Sequence, residues 1–224
     1  MLICFTGIDG SGKTTQAQRL FEKLKELNID CEYSWSRWEP FLLKPFISFF
    51  RKKAGQGTDK NNPEAVYSLL KDIKRKLFKH KFILQFYQYA ALVDYYVQVR
   101  KKIIAPLKQG KTVICDRYIY DLFVDWAINS GYSEAAFARL LQRRFPAYFP
   151  KPVFVFLLDV PPYVGGRRKN DGTATSYLEE RRGFYRLLTE YAGAKIIDGM
   201  NSMDFISEVV LSEVEEMVLN KDKT

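Results

Sequence analysis

Apolar residues along the chain form short unbroken runs that alternate with longer stretches of helical period. Residues 2–6 are one such run, and residues 112–116 and 153–158 are apolar without polar alternation, which is typical of strands covered on both faces. Residues 13–28 instead repeat apolar positions every three or four residues, as an amphipathic helix does. The alternation of the two patterns predicts a parallel sheet built from strand–helix units.

The remaining segments extend the same pattern to the end of the chain. Further strands are predicted over residues 31–36 and 194–197, and Pro63 is expected to open a helix. The aromatic-rich stretch 81–104 predicts a long, largely buried helix that Pro106 and Gly110 end. Later helices are predicted over residues 119–130, 133–145, 161–168, 175–192 and 203–219. We therefore expect one domain over residues 1–224, an α/β fold with a five-stranded parallel sheet and helices on both faces.

Composition places the chain among soluble globular proteins. Of 224 residues, 47% are hydrophobic and 27% are charged. No apolar stretch reaches the roughly 18 residues of a membrane span, and the first residues lack the layout of a secretory signal. Three cysteines, all in predicted strands, favour buried thiols in a reducing cytoplasm, and with a single histidine they exclude a structural zinc site.

A basic segment over residues 37–81 carries most of the net charge of +9, with twelve Lys/Arg against four Asp/Glu. Such a segment suits an anionic partner, but it is also typical of a solvated helix face. The aromatics within it (Phe41, Phe46, Phe49 and Phe50) allow a surface helix for lipid or a partner chain, or a core or homodimer face. Two polar, Gly-containing loops, 54–62 and 169–175, are candidate mobile lids.

The most specific motif follows the first strand, where Gly7 is separated by four residues from Gly12, Lys13 and Thr14. Glycines at this spacing let backbone N–H groups turn inward and cradle phosphate oxygens, beside the positive end of the next helix. Lys13 would reach the β- and γ-phosphates, and the Thr14 hydroxyl would ligate Mg²⁺. The predicted nucleotide-binding residues are Gly7, Ile8, Asp9, Gly10, Ser11, Gly12, Lys13, Thr14 and Thr15.

A carboxylate at the end of the strand 112–116 is the second candidate. Asp116 at the carboxyl end of a parallel strand would point into the ligand crevice and hold Mg²⁺, directly or through water. Arg117 would then meet an anionic acceptor. The alternative is an aspartate that caps the next helix beside a surface arginine. GTPases and ATPase motors share the phosphate-binding loop, but the chain has no Asn-Lys-x-Asp guanine signature in its body and is short for a motor.

Four segments together resemble the thymidylate kinase family of P-loop nucleoside monophosphate kinases. They are FTGIDGSGKTTQ, APLKQGKTVICDRY, FLLDVPPYVGGRRK and YLEERRGFYRLL, in an order and spacing that match across nearly the whole chain. The resemblance implies a P-loop NTPase fold and transfer of the γ-phosphoryl group of ATP to dTMP, giving dTDP in nucleotide biosynthesis. It also implies Mg²⁺ and a homodimer. We do not expect a nucleic-acid partner; one would bind the basic segment 37–81 in a salt-dependent way.

The resemblance also implies roles for single residues. Asp9 matches a loop aspartate that meets the acceptor sugar hydroxyl, and Arg37 resembles an arginine that binds the acceptor phosphate. Gly10 stands where one branch of the family has a catalytic arginine. The other branch supplies that arginine from a lid, here Arg168 with Arg167 as its neighbour, in a lid over residues 168–175. Cations at a helix C-terminus are the structural alternative for these two arginines.

The acceptor side departs from the family pattern. Phe41-Leu42-Leu43 replaces Gly-Gly-Thr, and Tyr96 falls where the family has an arginine that helps hold dTMP. Asp121 and Asp125 fall at thymine-pocket positions and share one helix face. If they face the pocket, they favour a base with N–H donors or a cationic acceptor over thymine. Otherwise they are solvated carboxylates, perhaps paired with the basic segment.

The sequence therefore predicts an ATP- and Mg²⁺-dependent kinase of a nucleoside monophosphate, dTMP first. Lys13 and Arg168 would neutralise the moving phosphoryl group, while Thr14 and Asp116 serve the metal. Two alternatives stay open. One is a P-loop kinase of a different nucleotide, nucleoside or small molecule; the other is a non-catalytic ATP-binding protein.

Overall fold

Five parallel strands form the sheet of the computed structural model, which describes residues 1–41, 44, 63–142 and 148–221. The strands are β1 (Leu2–Thr6), β2 (Cys31–Trp35), β3 (Thr112–Asp116), β4 (Phe154–Asp159) and β5 (Lys195–Asp198). Their order across the sheet is β2-β3-β1-β4-β5. Because β1 lies between β3 and β4, the connections leave it in opposite directions, and a crevice opens at the carboxyl ends of β1 and β3.

Helices cover both faces of this sheet. They are α1 (Lys13–Glu26), α2 (Pro63–Phe78), α3 (Lys81–Val99), α4 (Ala105–Lys108), α5 (Ile119–Ser130), α6 (Glu134–Leu141), α7 (Pro162–Lys169), α8 (Thr175–Ala192) and α9 (Met203–Lys221). On one face α1 and α9 pack over the odd-numbered residues of β1, such as Ile3 and Phe5. On the other face α3, α5 and α8 pack over Leu2 and Cys4. The predicted α/β fold, with its five-stranded parallel sheet between two helical layers, is confirmed.

The sequence analysis expected Pro106 and Gly110 to end the helical stretch that begins at residue 81. The structure shows that the helix continues through Pro106 to Lys108. A π-helical turn, Arg100–Ile104, joins α3 to α4, and the Ala105 N–H donates to the carbonyl of Arg100, five residues back. Proline lacks an N–H and crowds the carbonyl four residues earlier in an ordinary α-helix. The wider turn accommodates Pro106, so that the helix continues to Lys108.

Helix α3 is also less buried than its aromatic content predicted. Ala91, Tyr95 and Val99 are buried against the sheet. The opposite face is open: Phe82 is 88% exposed and Phe86 is 71% exposed. Tyr89, Val93 and Val97 continue this exposed stripe at spacings of three and four residues. Helix α3 is therefore apolar on two faces. One packs against the sheet and the other is exposed.

The basic segment 37–81 lies only partly within the described residues. Phe46, Phe49, Phe50 and the candidate lid 54–62 lie outside them, as do residues 143–145 at the predicted end of α6. Within the described ranges, Phe41 is exposed and no helix is long and apolar enough to cross a membrane. The three cysteines are buried on β1, β2 and β3 and are not joined by disulfides.

Candidate active site

The loop between β1 and α1 has the shape that its glycines predict. Gly7 and Gly12 have φ angles of 136° and 96°, which side chains disfavour, and a Cβ on Gly7 would lie 2.5 Å from the carbonyl oxygen of Leu158. Lys13 opens α1 and is buried, and its Nζ donates to the Ile8 carbonyl oxygen at 2.5 Å. Its ammonium therefore ties the start of α1 to the loop.

Burial changes the acidity of this lysine. Desolvation, together with the positive charge of Arg117, lowers the pKa of Lys13 to about 7, although Asp9, Asp121 and Asp116 oppose the shift. Near neutral pH the free protein is thus close to losing this proton. An anionic phosphate in the loop would favour the charged form again.

The metal ligands expected from the sequence lie together at the end of β3. Thr14 Oγ1 donates to Asp116 Oδ2 at 2.5 Å, and Tyr33 OH donates to the same oxygen at 3.2 Å. The other carboxylate oxygen, Asp116 Oδ1, is buried without a hydrogen-bond partner. A buried, unpartnered carboxylate oxygen beside a phosphate-binding loop fits Mg²⁺, which binds through one or two protein oxygens plus phosphates and water. Among the described residues, no group of three or more His, Cys, Asp or Glu side chains is placed to hold a metal ion.

Arg117 joins the phosphate-binding loop to the end of β3. Its guanidinium binds Asp9 Oδ1 through a short ion pair and donates to Asp121 Oδ1 at 3.1 Å. All three side chains are nearly fully buried, and Arg117 has a φ of 72°, a backbone strain typical of functional sites. Burial alone would raise the pKa of Asp9, but Arg117 and Lys13 hold it well below its usual range.

Asp121 continues the network into α5. Its Oδ2 accepts bonds from the Tyr118 N–H at 3.1 Å and from Thr6 Oγ1 at 3.2 Å, so it caps the helix. Its Oδ1 also accepts the Tyr185 hydroxyl at 2.6 Å. Asp121 is only 1% exposed, so it is neither solvated nor paired with the basic segment.

Asp125 is neutralised in the same way, by Arg181 of α8. The two form a short ion pair in which the Arg181 side chain is 1% exposed and that of Asp125 is 28% exposed. Arg181 also donates to the hydroxyls of Tyr177 at 2.9 Å and Tyr185 at 2.7 Å. Both carboxylates at the predicted base-pocket positions therefore have a buried arginine as partner, an arrangement that neither sequence-based alternative included.

Helix α7, which leads into the predicted lid 168–175, packs on the phosphate-binding loop, with Gly165 against Gly10. Arg168 Nη1 donates to the Gly199 carbonyl oxygen at 3.0 Å, and Arg167 is exposed. Lys169, at the end of α7, reaches Asp9 Oδ2 at 3.0 Å. Of the two predicted catalytic arginines, Arg168 thus bonds to Gly199. The cation of α7 that bonds to the phosphate-binding loop is Lys169.

The predicted acceptor residues Arg37 and Tyr96 lie in the turn after β2 and on α3. Arg37 is half-buried in the turn after β2. Helix α3 holds this turn: Trp38 Nε1 donates to Asp94, and Tyr95 OH donates to the Ser36 carbonyl oxygen. Tyr96 packs edge-on against Phe149. Among the described residues, neither Arg37 nor Tyr96 forms a hydrogen bond or ion pair with Asp9 or Arg117.

Sequence reasoning missed several members of the network. Tyr177, Arg181 and Tyr185 recur every four residues along α8, so an arginine on an otherwise buried face was the available signal. Lys169 gave no such signal, because it is the last residue of a basic run at a helix end, where cations are ordinary.

Comparison with known proteins decides the family. The family model described as thymidylate kinase matches residues 63–206. A probable thymidylate kinase of Pyrococcus abyssi is 30% identical over 227 residues, covering 97% of both chains. A thymidylate kinase of Wolbachia pipientis subsp. Culex pipiens is 26% identical over 100% of this chain and 98% of its own. The chain belongs to the thymidylate kinase family.

Membership confirms the resemblance on which the sequence analysis relied and identifies the chain as a phosphotransferase enzyme. The matched model segment begins at residue 63, after the phosphate-binding loop. The two relatives extend across the loop as well, since they cover nearly the whole chain. The similarity to thymidylate kinases thus includes the phosphate-binding loop as well as residues 63–206.

The lowered pKa of Lys13 predicts proton uptake when this thymidylate kinase family member binds nucleotide. At about pH 8 most of the free protein lacks the Lys13 proton, and ATP phosphates should restore it, so binding should take up close to one proton. Calorimetric titration with Mg·ATP in two buffers of different ionisation enthalpy measures this uptake. At about pH 6, where Lys13 is already charged, the two buffers should give the same heat. Equal heats in both buffers at the higher pH would contradict the lowered pKa.

The contact between α7 and the loop predicts unequal effects of two neighbouring alanines. A Cβ at Gly165 would lie 2.5 Å from the Asp9 carbonyl oxygen, whereas one at Gly166 would meet only Leu178 Cδ1 at 3.5 Å. Gly165→Ala should therefore cost about 1–3 kcal/mol of stability through overpacking. Gly166→Ala is the matched control and should stabilise the helix by about 0.5–1 kcal/mol. Thermal denaturation compares the two, and equal melting temperatures would rule out the close contact.

Proposed function

We propose that this protein transfers the γ-phosphoryl group of ATP to dTMP, giving dTDP and ADP, as the name of its family describes. The observation that carries the proposal is the meeting of a phosphate-binding loop and the Arg117 cluster in one crevice. The loop supplies a site for the donor phosphates, and Arg117 supplies a cation for an anionic acceptor beside it. Positioning and charge neutralisation are the main demands of phosphoryl transfer.

On the donor side, Lys13 is the residue proposed to bind the β- and γ-phosphates. Its bond to Ile8 is replaced by phosphate oxygens when ATP enters, with the loop N–H groups from Gly7 to Thr15 around them. Thr14 and Asp116 are proposed to hold Mg²⁺, which would neutralise developing negative charge on the phosphates. Support for this placement comes from the unpartnered Asp116 Oδ1.

On the acceptor side, Arg117 and Arg37 are proposed to bind the phosphate of dTMP, and Asp9 its sugar hydroxyl. Arg117 keeps Asp9 ionised and so able to accept a hydroxyl proton in a hydrogen bond. Arg168, with Arg167 beside it, is proposed to neutralise the moving phosphoryl group as the lid closes. Closure would also exclude water, which otherwise competes as acceptor.

A thymine base is compatible with the carboxylates of α5 in their observed state. Thymine O4 accepts hydrogen bonds and would be repelled by a free carboxylate. Asp121 is fully engaged by Arg117 and Tyr185, and Asp125 is paired with Arg181. Their charges are therefore balanced, which removes the main objection to dTMP that the sequence raised.

A different acceptor is the second candidate. One observation favours it: Tyr96 stands where the family has an arginine that helps hold dTMP. A non-catalytic ATP-binding protein would keep the loop and lose turnover altogether.

A cytoplasmic location is part of the proposal and agrees with three free cysteines.

A substrate panel separates these candidates. ADP release from Mg·ATP should be fastest with dTMP among nucleoside monophosphates and deoxynucleosides. Lys13→Ala is the blank, and removal of one such charge contact should cost about 10²–10³ in rate. Faster turnover with an amine-bearing nucleotide or a deoxynucleoside would move the function to the second candidate. ATP binding without accelerated turnover on any acceptor would contradict a kinase function.

A homodimer is the proposed assembly, and the open face of α3 is its proposed surface. Phe82, Phe86, Tyr89, Val93 and Val97 form one apolar stripe, and each is at least 41% exposed. Burying such a stripe removes several large apolar side chains from water at once, which favours association. A second copy would cover it through the same stripe, as two-fold symmetry requires.

Charge substitution on that stripe should prevent the dimer. Phe86→Glu should yield a monomer at micromolar concentration, because a buried carboxylate without a partner is strongly unfavourable. Light scattering coupled to size-exclusion chromatography gives the mass of wild type and variant. Phe205→Glu, at a half-exposed aromatic of α9, is the control and should leave the mass unchanged. A wild-type monomer, or a dimer that survives Phe86→Glu, would contradict the assignment.

A further inference from the structure

Helix α7, which leads into the predicted lid 168–175, is held against the phosphate-binding loop by a backbone contact. Gly10 packs against the carbonyl of Gly165, and a Cβ on Gly165 would lie 2.5 Å from the Asp9 carbonyl oxygen. Because neither position has room for a side chain, the distance between α7 and Asp9 is set by main-chain atoms. The residue at the end of α7 therefore has a fixed position relative to the Asp9 carboxylate.

Lys169 is that residue, and it forms two ion pairs. Its Nζ lies 3.0 Å from Asp9 Oδ2 and 2.8 Å from Asp171 Oδ2. Arg117 binds the other oxygen of Asp9, so cations from two separate elements hold the two carboxylate oxygens. The Asp9 side chain is 6% exposed, whereas that of Lys169 is 38% exposed. Lys169 thus closes the solvent side of a buried carboxylate.

Asp171, the second partner of Lys169, belongs to the lid loop and is itself fixed. Asn170 ends α7 in a left-handed conformation, with a φ of 47°, and Asp171 Oδ1 accepts a bond from the Thr173 N–H at 3.1 Å. The Thr173 hydroxyl donates to the same oxygen. Lys169 therefore bridges an ordered turn of the lid to the phosphate-binding loop.

The two carboxylates favour the charged form of Lys169. Burial opposes the ammonium form, but the bonds to Asp171 and Asp9 outweigh it and raise the pKa of Lys169. Arg167 and Arg168 of the same helix do not contact Asp9. Lys169 is thus the cation of α7 that holds a side chain of the loop.

We propose that Lys169 is a positioning residue that ties the closed lid to Asp9 and so couples lid closure to placement of the acceptor sugar hydroxyl. The inference rests on the proposed function, which assigns the sugar hydroxyl to Asp9. With Arg117 and Lys169 each occupying one oxygen, the carboxylate cannot rotate, and each oxygen keeps a lone pair for the hydroxyl. Without Lys169, Asp9 loses its orientation and the lid loses its link to the acceptor.

The test compares two acceptors in wild type, Lys169→Gln and Lys169→Arg. For dTMP, Lys169→Gln should raise KM about 10-fold, in line with loss of a charge-assisted contact, and leave KM for ATP unchanged. For 3′-deoxy-dTMP, which lacks the hydroxyl, the same variant should change KM by less than about 2-fold. Lys169→Arg should restore most of the difference, and Lys108→Gln, at an exposed lysine of α4, should change nothing.

Equal losses with both acceptors, a loss confined to KM for ATP, or no loss at all would overturn the inference. A second readout needs no turnover: thermal denaturation of Lys169→Gln, Asp9→Asn and the double variant should be non-additive if the two side chains bind each other. Additive shifts would also overturn it. Failure of the proposed function shows separately, as wild-type protein inactive with dTMP, so the two failures are distinguishable.

Discussion

The pairing of Arg117 with Asp9 and Asp121 is the interaction on which both the fold and the site depend. It joins the loop after β1 to the end of β3 and the start of α5, and Arg117 lies 108 residues beyond Asp9 in the sequence. Loss of the guanidinium would leave Asp121 without its cation and Asp9 with Lys169 alone, and breaking a buried ion pair typically costs about 3–5 kcal/mol. The same cation is the proposed partner of the acceptor phosphate, so the group that stabilises the crevice would also bind the acceptor.

Charges of alternating sign extend this pairing across the acceptor side. The Tyr185 hydroxyl donates to Asp121 and accepts a hydrogen bond from Arg181. Arg181 in turn forms an ion pair with Asp125. Each carboxylate has a cation, so the crevice can contain several aspartates without repelling a nucleotide. The arrangement also explains how two aspartates can occupy pocket positions in a member of the thymidylate kinase family.

Local features of the site were predictable from the sequence, and long-range ones were not. The phosphate-binding loop and Asp116 follow from short spacings next to apolar strands, and the strand–helix alternation gave the confirmed sheet. The partners of Asp125 and Asp9 lie 56 and 160 residues away, at Arg181 and Lys169, and no local pattern links them. Pro106 misled the prediction of a helix end because a π-helical turn relieves its clash.

The central claim is that one crevice, built around Arg117, receives both substrates. A crystal structure with Mg²⁺ and a bisubstrate analogue, in which thymidine and adenosine are joined by a polyphosphate chain, tests it most directly. The account predicts the donor phosphates in the loop at Lys13, the metal at Thr14 and Asp116, and the acceptor phosphate on Arg117 with Asp121 still bound. A thymidine end that lies outside the crevice, with Arg117 still closed on Asp9, would contradict it.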